Sequence, residues 1–226
     1  MRTKLTLSAL LLMGTLVSAP AQDGAKQPYE GDLKNGLPHG EGTYVWEDGR
    51  SYTGDFQNGI LHGDGKFAWP NGDRYDGQFS NGLRHGNGVF VWSDGARYEG
   101  DYRNGLKHGK GVSTWPNGNR HEGIYVNGEA SGRGVFEWPS GDRYEGDYIH
   151  GARTGRGTYT WSNGSVYEGE YLNNQMHGDG THTNAEGVRY VGGYRHNKRH
   201  GKGMCTVGED EFPCCWQEDE QTECTQ

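Results

Sequence analysis

The sequence predicts an all-β fold, an elongated antiparallel meander of roughly sixteen short strands. Three observations carry that expectation. The chain repeats every 23 residues, its glycines keep fixed positions within the repeat, and strand and turn signals alternate through every copy.

The segment "YEGDYRNGLKHGKGVSTWPNGNR" (Tyr98 to Arg120) is one copy. Its first position recurs at Tyr29, Tyr52, Tyr75, Tyr98, His121, Tyr144, Tyr167 and Tyr190, eight copies without an insertion. A fixed period of this length marks an array whose units bury their apolar faces only against neighbours. Of the 41 glycines, 37 lie at positions 3, 8, 12, 14 and 21, so glycine is positional and does not signal disorder. The array fills residues 29–207.

Each unit reads as a hairpin. In "YEGDY", Tyr98, Gly100 and Tyr102 share one face, while Glu99 and Asp101 point the other way. "RNG" supplies a turn, because Asn and Gly tolerate positive φ. In "GKGVSTW", Gly109, Gly111, Ser113 and Trp115 share a face, and "PNGN" turns the chain again. Glycine inside a strand weakens it unless something packs close against the backbone. We therefore expect aromatic rings to lie flat over the glycines. Six tryptophans share one position: Trp46, Trp69, Trp92, Trp115, Trp138 and Trp161. With only 31% hydrophobic residues, these aromatic columns are the expected core; the rival reading of the Trp column is a ligand-binding strip.

The pattern resembles the MORN motif, the membrane occupation and recognition nexus: Y-E-G, an aromatic at position 5, glycine at position 8, H-G-x-G, an aromatic near position 18, and glycine at position 21. "YEGDYRNGLKHGKGVSTWPNG" fits it nearly throughout. Departures are Ser131 and Thr154 in the His position, and Asn184 and Val207 in the Trp position. The resemblance implies a twisted single-layer sheet of about eight MORN hairpins, used for protein–protein contact, self-association and membrane attachment.

The two ends bear on location. "MRTKLTLSALLLMGTLVSAPAQ" combines Arg2 and Lys4, an apolar run too short to span a bilayer, and Ala19-Pro20-Ala21. It reads as a secretory leader over residues 1–21, cut between Ala21 and Gln22, with 22–28 as a lead-in. An uncleaved anchor is the rival. The expected location is extracytoplasmic, periplasmic or secreted. All four cysteines, Cys205, Cys214, Cys215 and Cys224, lie in or beside the tail 208–226. Two disulfides are expected in an exported chain, one back to Cys205 and one forward to Cys224, since joining the neighbours Cys214 and Cys215 strains a small ring. A zinc site is the alternative. A stapled tail would cap one open edge of the sheet; the other, near Tyr29, is a candidate for self-association.

The formal net charge is −8, and residues 208–226 hold seven acids and no base. Nucleic acids and anionic membranes take clustered Lys and Arg. The recurring Arg74, Arg97, Arg120, Arg143 and Arg189 are matched by acids nearby, so cross-strand charge pairing is expected and no nucleic-acid partner.

Catalysis needs unlike groups converging on one point, whereas a repeat spreads like groups along a line. His39, His62, His85, His108, His177 and His200 share one position. Equivalent residues in successive hairpins lie about 9.6 Å apart, too far for neighbours to share a metal. Each His is read as capping a turn by hydrogen bonds. No enzyme, metal, cofactor or small-molecule substrate is expected. The expected function is a scaffold that binds a protein partner or itself. The alternatives are phospholipid binding at a membrane surface and thiol redox chemistry in the tail.

Overall fold

Repeating strand and turn signals become eighteen strands. A computed structural model describes residues 28–224; the expected leader, the Ala21–Gln22 bond and most of the lead-in lie outside them. β1 (Tyr29–Lys34) pairs with β2 (Leu37–Val45), and each later strand pairs antiparallel with the one before it, to β17 (Asp210–Gln217) and β18 (Glu220–Thr222). The fold is one open single-layer meander, with no helix among the described residues.

The fourth unit shows why the residues repeat. β7 (Arg97–Arg103) and β8 (Leu106–Thr114) are joined by Asn104 and Gly105, at φ of 51° and 83°. Two positive φ values make the tight hairpin turn whose twist matches the strands. Along β8 the register slips: Gly100 faces Gly111 and Asp101 faces His108, leaving Gly109 and Lys110 unopposed. This is a β-bulge. Gly109 takes φ +55° within it, where glycine is unstrained. The bulge frees backbone groups, and two side chains take them up. The Tyr98 hydroxyl donates to the Asp101 carbonyl at 3.0 Å and to the His108 carbonyl at 3.4 Å. The Lys110 N–H donates to the Asp101 carboxylate at 3.0 Å.

To reach the bulge, the Tyr98 ring crosses the Gly100–Gly111 rung. A methyl group on Gly111 would overlap its hydroxyl and ring. The rings expected over the glycines are thus the position-1 tyrosines; among the described residues no tryptophan is one of the side chains that meet them. Tyr52, Tyr98, Tyr144 and Tyr167 are fully buried. Edge-to-face contacts join them through the position-5 aromatics: Tyr98 meets Tyr102 at 5.2 Å and Tyr125 at 5.1 Å. Such contacts contribute about 1 kcal/mol each beyond area burial. The zigzag runs from Tyr29 to Trp216. Trp46, Trp69, Trp92, Trp138 and Trp161 are only half-buried, and Trp115 is 38% exposed. They flank the tyrosines as a second ladder, alternating with position-16 rings such as Phe67, 4.3 Å from Trp69.

The tail adds to this sheet instead of folding over it. β17 pairs with β16 (Lys198–Val207) as a degenerate ninth unit. Cys214 faces Gly203, where earlier units place a glycine, and Trp216 faces Gly201, where they place Tyr or Phe. Glu218 and Asp219 form its tight turn, at φ of 54° and 71°. Cys205 bonds Cys214 and Cys215 bonds Cys224, so the four cysteines do not converge as a zinc site and none is free. These bonds staple β16, β17 and the residues after β18. Two disulfides fit an oxidising compartment.

His121 replaces the position-1 tyrosine in the fifth unit and is 3% exposed. Burial, with Lys107 and Arg120 nearby, holds its pKa down to about 4.

Two outcomes follow from this packing. Gly111→Ala should cost about 2–3 kcal/mol of stability in urea unfolding, since the added methyl overpacks a fully buried ring. His121 binds its proton less readily folded than unfolded. Its contribution is therefore complete above its unfolded pKa of about 6.5 and is lost as pH falls toward 4, by up to about 3 kcal/mol. His121→Tyr should remove that part of the acid sensitivity, read as a smaller drop in urea midpoint between pH 7 and pH 4.5 than in the wild type.

Candidate functional site

The aromatic face carries more than rings. Position 10 lies directly opposite the position-5 aromatic: Arg84 opposite Phe79, Lys107 opposite Tyr102, Arg153 opposite Tyr148 and Arg199 opposite Tyr194. Cross-strand partners point to one side of the sheet, so four cations rest on the aromatic surface. Arg84 lies 4.9 Å from the Phe90 centroid and 5.3 Å from that of Tyr102. Lys107 sits 4.6 Å from Tyr98, 5.0 Å from Trp92 and 5.5 Å from Tyr125. Arg153 lies 5.3 Å from Tyr144 and 5.8 Å from Trp138. Each contact gives about 1–2 kcal/mol when desolvated.

Their neutralisation is uneven. Arg199 stacks 3.4 Å over Trp216 and pairs with Asp219 at 3.0 Å. Arg84 donates to the Gly105 carbonyl at 2.8 Å and Arg153 to that of Asn174 at 3.0 Å. Among the described residues no carboxylate pairs with Arg84, Lys107 or Arg153. Burial, with Arg84 nearby, lowers the Lys107 pKa to about 8, and burial lowers that of Arg84.

Around Lys107 the repeat is interrupted. Position 16 holds Ser113 where other units carry rings such as Phe90 and Phe136. The Lys107 Nζ donates to Ser113 Oγ at 3.2 Å, and the Tyr125 hydroxyl donates to the same oxygen at 2.9 Å. His121 Nδ1 lies 2.7 Å from that hydroxyl, so it carries the proton. Its Nε2 is then a buried acceptor without a partner.

On the opposite face several arginines are paired with acids, though among the described residues Arg74 and Arg189 are not. Arg97, Arg120 and Arg143 pair with Glu99, Glu122 and Glu145, two residues along the same strand. Cross-strand pairs also form, Arg120 with Glu137 at 3.1 Å and Arg133 with Glu145 at 3.5 Å. The expected cross-strand pattern is therefore partly replaced by pairing within a strand. Open grooves of about 440 and 560 Å³ run over the glycine rungs here. Along the tight-turn edge, Leu37, Ile60, Leu83, Leu106, Val126, Ile149 and Leu172 form a row of exposed aliphatics, from position 9 in the early units and position 6 in the later ones.

Of the repeated histidines, His39 reaches the next unit's turn, with the Asn58 N–H donating to Nδ1 at 3.5 Å. Thr154 does the same for Asn173 at 3.2 Å. His200 Nδ1 is buried with no hydrogen-bond partner, so a hydrogen-bonded cap is not general to the column. What ties the units is backbone: the Gly105 N–H donates to the Arg84 carbonyl and the Gly128 N–H to the Lys107 carbonyl, at 2.8 and 2.9 Å. Among the described residues no three His, Cys, Asp or Glu side chains are grouped to hold a metal, and no helix is long and apolar enough to cross a membrane.

Sequence reasoning passed over the position-10 cations. Counting back by twos from Trp115 through Ser113, Gly111 and Gly109 reaches Lys107, so the signal was legible.

Comparison with known proteins bears on the fold and family. No curated protein matches the chain. Solved structures with some likeness include the Drosophila melanogaster SAS-4 (dCPAP) TCP domain in complex with a proline-rich motif of Ana2, at 15% identity and a TM-score of 0.43, covering 67% of this chain and 83% of that one. The CPAP G-box domain gives 12% identity and a TM-score of 0.45, covering 77% and 97%. The Danio rerio CPAP TCP10 domain with a STIL peptide gives 11% identity and a TM-score of 0.29, covering 83% and 97%. The MORN repeat pattern matches residues 29–49, 52–74, 75–97, 98–120, 121–143, 144–166, 167–189 and 190–206. Eight consecutive matches over most of the sequence make this chain a member of the MORN-repeat family.

Proposed function

We propose that this MORN array is a non-enzymatic scaffold outside the cytosol that docks an extended, acidic segment of a partner protein along its aromatic face. One observation carries the reading: Arg84, Lys107 and Arg153 are held among aromatic rings with no carboxylate partner among the described residues. A desolvated cation without a counter-charge is costly. An acidic ligand removes that cost while the rings supply apolar contact. The two disulfides and the leader-like N-terminus support an exported location. Every cysteine is paired, which weighs against thiol redox chemistry in the tail. Among the described residues β1 pairs only with β2, and such an edge supports self-association as a further use of the same scaffold.

A second reading, attachment to a phospholipid surface, is supported by the exposed aliphatic row from Leu37 to Leu172. It uses the turn edge, not the aromatic face, so the two readings separate experimentally.

The docking reading is tested by crosslinking the mature protein in its native compartment and mapping contacts by mass spectrometry. Crosslinks should concentrate on the aromatic face, and Arg84→Glu with Arg153→Glu should weaken capture by about tenfold or more, with the wild-type interaction declining as salt rises. Capture that ignores both substitutions rejects the reading. For the membrane reading, Leu83→Ser with Leu106→Ser should abolish flotation with phosphatidylglycerol vesicles; equal flotation of wild type and variant rejects it.

A further inference from the structure

The ladder of tryptophans and position-16 rings is continuous except at one point. Tyr44, Phe67, Phe90, Phe136 and Tyr159 each lie 4.3–4.7 Å from the tryptophan two residues on. Trp115 has Ser113 there and keeps a ring on one side only, Phe136 at 5.7 Å. A second omission falls on the same indole. Lys107 covers Trp92 and Arg153 covers Trp138 from position 10 of the following unit; the corresponding residue for Trp115 is Ala130. Two independent truncations thus bare one side chain, and Trp115 is the one tryptophan in the column that is exposed. Ser113, two residues before Trp115 in the chain, accepts from Lys107, which lacks a carboxylate, and from Tyr125, whose hydroxyl also meets His121.

We propose that the break in the ring ladder at Ser113 and Ala130 is a specificity site, where one aromatic side chain of a partner protein stacks on exposed Trp115 and an acidic group of the same segment meets Lys107. This rests on the docking reading above and adds what the partner must present. The molecule contains a template for the arrangement. At Arg199, an aromatic residue and an acid three positions later, Trp216 and Asp219, stack on and pair with a position-10 cation. Lys107 has rings around it and lacks the acid; Trp115 lacks the ring. A segment with an aromatic residue and an acid at comparable spacing completes both, and charge complementarity selects it over a neutral apolar segment.

Two variants restore the regular repeat instead of damaging it. Ser113→Phe recreates the third unit, where Arg84 lies over Phe90 and the Tyr102 hydroxyl already has no partner. Ala130→Arg recreates the sixth, where Arg153 covers Trp138. The full disulfide-bonded protein is used to select binders from a displayed library of random 12-residue peptides. Synthetic versions are then titrated against wild type and each variant. Wild type should select an aromatic residue followed closely by Asp or Glu, and both variants should weaken those peptides by about tenfold or more, while melting at an unchanged or higher temperature. Should Ser113→Phe fail to fold, Ala130→Arg decides alone. Peptides that bind both variants as tightly as wild type, yet lose affinity with Arg153→Glu, overturn the specificity site and leave the docking face standing. Peptides indifferent to all three changes overturn both. Preference for a peptide copying residues 216–223 over every library sequence assigns the site to a second copy of this chain and overturns the partner assignment.

Discussion

The fold depends on one contact, a tyrosine ring laid across a pair of glycines so that its hydroxyl reaches a bulge. The ring needs the glycines because a methyl group at Gly111 would occupy its space. The bulge needs the hydroxyl because its slipped register leaves carbonyls unpaired. The sheet needs the ring because a single layer has no second layer to pack against. Three features that look independent in the sequence, Tyr at position 1, Gly at positions 3 and 14, and the His-Gly pair that opens the bulge, are therefore parts of one device. A core built this way is made only of contacts between adjacent units, which is how a chain with so few aliphatic residues stays folded.

The same economy shapes the binding surface. The edge-to-face rings are buried, the tryptophans beside them are partly exposed, and position 10 places cations among both. Where the chain closes its own sheet, Asp219 neutralises Arg199. Elsewhere on this face the cations have only carbonyls or a hydroxyl for company. The polar face behaves differently, since Arg97, Arg120 and Arg143 pair with acids two residues away. The two sides of one thin sheet thus differ, one with arginines paired to acids and one where Arg84, Lys107 and Arg153 have no carboxylate among the described residues.

Much of this was readable from the 23-residue period. The hairpins, both turns and the shared face of Tyr98, Gly100 and Tyr102 follow from alternation and glycine spacing. Alternation does not say which aromatic covers the glycines. Trp115 and Tyr98 lie on the same side, and only the bulge, invisible in a periodic pattern, draws the tyrosine over the rung. The tail was harder. Its ninth unit begins one residue early, because a short turn at Gly208 replaces the longer loop of the other units. That single-residue shift hid Trp216 from the column of position-5 aromatics, where its pairing with Gly201 places it. The unlike cluster at Ser113 and His121 was visible as two departures from the repeat, but its meaning depends on Lys107 filling the space between them.

Cys214 stands where every earlier unit has glycine, and the residue in the tyrosine's place, Phe212, is left exposed. No ring can cross a rung that carries a sulfur bridged to Cys205. A tenth hairpin would have no tyrosine staple beneath it, and β18 is only three residues long. Oxidation after synthesis therefore fastens the last strands in a way that no earlier unit is fastened. At the other end, among the described residues, β1 is held by its pairing with β2 and carries no disulfide. The two ends of the sheet thus differ in chemistry, one fastened by covalent sulfur and the other by backbone hydrogen bonds.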